Sequence, residues 1–163
     1  MKENKGSDRR PTARAVGMDE IVPLIRESLE ANGCAIIPVR GVSMLPFLKE
    51  GRDSVVLAEV AKPPKKRDIV LYQRADGSYV LHRIASVGET YTCIGDAQFV
   101  FEKGIAPSQI IARVTAIRKN KRLIKVENPI RRLCVFFWSI TRPVRGLYKR
   151  AVRKLRRLLS KKK

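Results

Sequence analysis

The spacing of apolar positions changes twice along the chain. Between Met18 and Ala31 the residues Ile21, Val22, Leu24, Ile25 and Leu29 recur near helical spacing, with Asp19 and Glu20 in the first turn and Asn32-Gly33 as a stop. This predicts a short amphipathic helix over 18–33, whose apolar face needs a partner. From Cys34 the apolar runs become short and rich in β-branched residues: Cys34–Val39, Ser54–Val60, Ile69–Gln73, Ser78–Ile84, Ser86–Val87, Thr90–Ile94 and Ile110–Ile117. Asp76-Gly77 between two of them predicts a hairpin. Beyond Lys119 Lys and Arg alternate with Leu133, Val135, Phe136, Phe137, Trp138, Ile140, Leu147 and Tyr148, a pattern of two basic amphipathic helices broken near Pro143. The expected architecture is therefore mainly β: a disordered leader over 1–17, the helix over 18–33, a compact multi-stranded β body over 34–118 and a basic helical tail over 119–163.

Charge changes the meaning of that tail. The 163 residues suffice for one domain with its own core. The net charge of +20 is unevenly placed, since residues 1–117 carry 17 Lys and Arg against 14 Asp and Glu, whereas residues 118–163 carry 18 against 1. A nearly balanced body with a cationic tail implies a polyanionic neighbour. Phe136, Phe137 and Trp138 beside Leu133 and Ile140 suit a helix lying in an anionic membrane surface. Packing of these aromatics on the β body is the simpler alternative, and nucleic acid binding gives no reason for them. The first 16 residues contain no apolar leader, and no run approaches the ~20 apolar residues that span a bilayer, so the expected location is cytoplasmic and peripheral to a membrane. Cys34, Cys93 and Cys134 have no Cys-x-x-Cys spacing and a single histidine to join them, which predicts reduced thiols and neither metal nor cofactor.

The candidate chemistry lies in the β body. Gly41-Val42-Ser43-Met44-Leu45-Pro46 presents a serine at a bend, and Gly51-Arg52-Asp53 then turns the chain into a strand. A serine hydroxyl needs an adjacent base to become a nucleophile at neutral pH. The only histidine, His82, follows 39 residues later inside a predicted strand. Gly95-Asp96 offers a carboxylate that could orient the imidazole, as the third member of a triad does. Asp53 and Asp68, at strand starts, read as turn residues.

Taken in order, the Gly41–Pro46 box, Gly51-x-Asp53, Arg67–Tyr72, His82-Arg83-Ile84 and Gly95-Asp96 resemble the successive boxes of the signal peptidase I family, over roughly residues 34–117. The resemblance is to the Ser/His type, and especially to small bacterial signal-peptidase-like proteins. It implies a β body of the signal peptidase/LexA-like type and a serine endopeptidase active on a peptide or protein substrate. Ser43 would be the nucleophile, His82 the general base and Asp96 the residue orienting the base or shaping the site, with Glu102 as a weaker acidic candidate. Gly41, Met44 and Pro46 would form the substrate and oxyanion neighbourhood. The self-cleaving LexA-like repressors share a Gly-x-Ser-Met box but use a Lys base, and no Lys lies between Gly77 and Gly95. The other class of function is a non-catalytic module of the same fold, whose tail grips anionic lipid or nucleic acid.

Overall fold

The computed structural model describes residues 18–160 apart from residue 121, with the side chains of 18–20, 149 and 154–160 left out; the expected leader over 1–17 and residues 161–163 lie outside the described residues. The predicted first helix is α1 (Met18–Asn32). It lays Val22, Ile25 and Leu29 against the sheet, and burial of each such side chain contributes about 1.5–3 kcal/mol. An antiparallel sheet of eight strands follows: β1 (Cys34–Pro38), β2 (Asp53–Ala58), β3 (Ile69–Gln73), β4 (Tyr79–Val87), β5 (Tyr91–Ile94), β6 (Glu102–Ile105), β7 (Ile110–Lys119) and β8 (Arg122–Lys125). Two basic helices close the chain, α2 (Pro129–Ile140) and α3 (Arg142–Ser160). Asn128 caps α2, its side chain accepting from the Ile130 and Arg131 amides ahead of Pro129 in the first turn.

The strand order is β1-β2-β7-β3-β4-β5-β6, and β8 also pairs with β7. Strand β7 is long enough to serve two neighbours along one side: its first half, Ile110–Arg113, pairs with β3, and its second half, Ala116–Lys119, pairs with β8. The sheet thus runs past residue 118, where the β body was expected to end, and takes in the first residues of the basic tail. The two runs expected at 78–84 and 86–87 are one strand, β4, whose pairing with β5 is irregular between Ile84 and Ser86.

Strand β3 divides the interior. Ile69 and Leu71 enter one apolar cluster with α1, β1, β2, β7 and the Ser43 loop, whereas Val70 and Tyr72 enter a second with Ile84, Tyr91, Cys93 and Ile105. Its four consecutive buried residues follow from being covered on both faces. The Asp76-Gly77 hairpin fixes β4 against β3 with Ile69 opposite Arg83, Val70 opposite His82 and Tyr72 opposite Val80. Directly opposed residues share a face, so His82 belongs to the side of Tyr72 and Arg83 to the side of Ile69 and Leu71.

Candidate active site

Ser43 sits in the loop between β1 and β2. Met44 and Leu48 are the anchors of that loop, 3% and 0% exposed within the first apolar cluster, and they leave Ser43 half-buried between them and the exposed Val42. Met44 is thereby a core residue, whereas Gly41 and Pro46, expected beside it around the substrate, are exposed. Gly41 has φ of +76°, the left-handed backbone that a glycine adopts without penalty. Asp53 closes the loop: its carboxylate accepts the Lys49 amide at 2.9 Å and pairs with Arg52 at 2.7 Å, and its carbonyl accepts the Val39 amide. Asp68 does the same work one turn later, accepting the Lys65 amide at 2.9 Å.

The Ser43 carbonyl accepts the Ala97 amide at 2.8 Å, which ties the serine loop to the Gly95-Asp96 turn. The approach is close enough to require glycine at 95, where an added Cβ would lie 2.6 Å from the Ser43 carbonyl oxygen. Asp96, fully buried, is clamped by Arg83: Nε donates to Oδ1 at 2.8 Å and Nη2 to Oδ2 at 2.7 Å. The third Arg83 nitrogen, Nη1, donates to the Arg67 carbonyl at 2.9 Å, and the indole N–H of Trp138 from α2 donates to the Asp96 carbonyl at 2.8 Å. Trp138 also meets Phe47 edge-on, and Arg145 lies over its ring at 3.6 Å.

His82, 1% exposed, stands in different company. Its Nδ1 is 3.2 Å from Glu102 Oε1 and 3.3 Å from the Tyr72 hydroxyl. That hydroxyl donates its proton to Glu102 Oε2 at 2.6 Å, so its oxygen is left as an acceptor toward the imidazole. Both neighbours of Nδ1 are acceptors, which places the ring proton there and leaves the lone pair on Nε2. Arg74 grips Glu102 with two nitrogens, and this bond, together with Tyr72 and the nearby imidazole, holds the carboxyl down to about 2 against the opposing effect of burial. Burial in turn lowers the His82 pKa below the ordinary histidine value, more than Glu102 and Asp96 can raise it, with Arg74 adding to the depression. The imidazole is therefore neutral at neutral pH beside an ionised carboxylate. The Cys93 thiol on the same face is pushed up to about 12 by burial and by Glu102, which keeps it protonated and out of the chemistry.

The register explains the division of carboxylates. Ile94 is opposite Arg83, so Asp96, two residues on, falls on the Arg83 side; Cys93 is opposite both Ile84 and Glu102, which carries Glu102 to the His82 side. The sequence offered Asp96 to orient the histidine or to shape the site; in the structure Asp96 bonds to Arg83 and Glu102 approaches His82. Among the described residues no hydrogen bond joins Ser43 to His82, and the two are linked through Ala97, Asp96 and Arg83. Tyr72, Arg74, Arg83 and Trp138 are participants that sequence reasoning missed. The alternation of His82 and Arg83 along one strand was the available signal for two separate acidic partners. The chain matches no protein-family model and no curated protein.

Helix α2 turns only part of its apolar surface to the body. Val135 is buried and Trp138 half-buried, whereas Ile130, Leu133, Phe137 and Ile140 are each more than half exposed, as are Val144, Leu147 and Tyr148 of α3. No helix among the described residues is long and apolar enough to cross a membrane.

Proposed function

We propose that the chain is a serine endopeptidase resembling signal peptidase I, with a β body of the signal peptidase/LexA-like type, resting on an anionic membrane surface through residues 119–163. The observation that carries the reading is the neutral, buried His82, whose Nδ1 is held by Glu102 and Tyr72 so that Nε2 is the basic nitrogen. In this reading Glu102 orients the base, the role first assigned to Asp96, while Asp96 and Arg83 hold the turn on which the Ser43 loop rests. His82 Nε2 takes the Ser43 hydroxyl proton as Oγ bonds to the peptide carbonyl carbon. The tetrahedral intermediate then expels the amine, which leaves with that proton. Water attacks the acyl-enzyme, again giving a proton to Nε2, and the carboxylate product departs as Ser43 Oγ is reprotonated. The mechanism requires a substrate complex in which the Ser43 loop, packed on the Arg83 side of the sheet, brings Oγ within hydrogen-bond reach of Nε2.

A serine-reactive acylating probe tests this. The expected result is a single covalent adduct mapped by mass spectrometry to Ser43, and none with the Ser43→Ala variant at unchanged melting temperature. An unlabelled Ser43 in the folded wild-type chain overturns it. One observation favours the second reading, a non-catalytic module of the same fold that binds anionic lipid or nucleic acid through its tail: the absence of a Ser43–His82 hydrogen bond among the described residues. The same probe decides between the two.

A further inference from the structure

A cleft of 670 Å³ opens between the helix pair α2–α3 and the body around β4, β5 and the 99–101 segment, within the size range of small-molecule sites. Its two chemistries are separated. Ile84, Ile94, Phe99, Phe101 and Leu147 supply an apolar lining, and Lys66, Arg67, Arg142 and Arg150 supply cations, with no acidic residue among the described residues that line it. Arg67 lies over the Phe136 ring at 4.9 Å and Arg142 over the Phe101 ring at 5.7 Å. A guanidinium lying over an aromatic ring keeps its N–H edge for a second partner. Arg142 Nε is buried with no hydrogen-bond partner, a donor left for a ligand to satisfy. The apolar surface continues outward from the cleft onto Ile140, Val144 and Leu147, 55%, 67% and 66% exposed.

We infer that this cleft binds one molecule of an anionic phospholipid, its acyl chain on the Ile94–Phe101–Leu147 lining and its phosphate against Arg67 and Arg142. The inference rests on the membrane-surface reading above and deepens it, replacing a diffuse attraction of the tail with a built site. Charge complementarity selects an anion, and the apolar lining, continuous with the exposed Ile140, Val144 and Leu147, selects a chain over a free phosphate. The cleft shares Arg83 with the Asp96 clamp, so a bound lipid would lie next to the residues that position Ser43.

Calorimetric titration of the full chain with monomeric dihexanoyl phosphatidylglycerol tests the site without a bilayer. The expected result is saturable binding of one lipid per chain, at least tenfold weaker for the phosphatidylcholine analogue and for inorganic phosphate. Arg67→Gln and Phe101→Ser should each weaken it about tenfold at unchanged melting temperature, although Arg67→Gln removes only one charge from a chain of net charge +20. Phosphate binding as tightly as the lipid, a short oligonucleotide outcompeting it, no saturable binding, or equal binding by both variants would each overturn the proposal. Where a variant melts early, the wild type alone decides: its melting should be protected by the phosphatidylglycerol analogue and not by the phosphatidylcholine one, and equal protection by both would overturn the proposal. Ser43→Ala should bind the lipid unchanged, so loss of lipid binding and loss of Ser43 labelling are separate results.

Discussion

His82 and Arg83 are neighbours on one strand and form two sites of opposite character. Arg83 and Asp96 make a buried, doubly hydrogen-bonded ion pair, 4% and 0% exposed, with every hydrogen bond directed at backbone or at each other. His82 is equally buried but is kept neutral, and its carboxylate neighbour Glu102 is tied to Arg74 near the surface. The first arrangement is suited to fixing the Ser43 loop against Gly95. The second holds a neutral imidazole in one tautomer beside an ionised carboxylate. Strand alternation is what allows a structural clamp and a neutral buried imidazole to be built from consecutive residues, each hydrogen-bonded to its own carboxylate.

Removing one member of the clamp should give the largest effect. Arg83→Leu leaves Asp96 charged and unpaired in the interior, and a loss of about 3–5 kcal/mol in denaturant unfolding is expected. The double variant Arg83→Leu/Asp96→Leu should regain most of that loss, because no charge is then stranded. A double variant as unstable as the single one would show that the pair is more than a clamp.

Glu102→Gln should act in the opposite way, costing about 1 kcal/mol of stability, since Arg74 and Glu102 are partly exposed. The rate of Ser43 acylation by a probe should fall about 100-fold, because the tautomer and the emerging imidazolium lose their carboxylate. Glu102→Asp should recover part of the rate. A merely structural Glu102 would lower stability without moving the pH profile of acylation, whereas an orienting Glu102 raises the His82 pKa, so its removal should shift the acid limb further down.

How much of this was legible in the sequence depended on what each residue's neighbours had to be. Helix α1 and strands β3, β5 and β7 could be read because their apolar spacing comes from facing a core, and the β3–β4 hairpin because Asp76-Gly77 is turn chemistry. Strands β6 and β8 were missed: Glu102-Lys103-Gly104-Ile105 opens on two charges and a glycine, Arg122-Leu123-Ile124-Lys125 has a charge at each end, neither alternates clearly, and each is a strand because β5 or β7 offers it a backbone edge. Ser43, His82, Asp96 and Glu102 were all identifiable as candidates. Which carboxylate serves the histidine was not, because it follows from a strand register that a stretch of loop between Asp96 and Glu102 conceals. The tail aromatics divide between two fates: Trp138 donates to the Asp96 carbonyl while Phe137, one residue earlier, is 58% exposed. An amphipathic pattern gives a helix its face but not the carbonyl that an indole N–H will find.

The smallest effect, and the one that bears most directly on the contrast between the two sites, is the response to pH. Around His82, Glu102 and Asp96 favour the imidazolium, Arg74 disfavours it, and burial outweighs them, so the folded pKa lies below the unfolded value of about 6.5. Acylation at Ser43 should therefore persist below pH 6.5, with its acid limb falling only as Nε2 is protonated, while Glu102, held to about 2, stays ionised throughout. Stability follows by linkage. Between the two His82 pKa values the unfolded chain binds a proton that the folded chain refuses, so the histidine destabilises the fold progressively as pH falls below about 6.5 and no further once the folded group is itself protonated. Glu102 is displaced in the same direction, and its contribution is lost at lower pH, as the pH falls from the ordinary carboxylate range toward about 2. The denaturant midpoint measured from pH 8 to 5 should decline more in the wild type than in a His82→Gln variant. An acid limb above pH 6.5, or identical declines, would mean that His82 is charged in the folded chain, and the buried base would be reassigned as a second ion pair like that of Arg83.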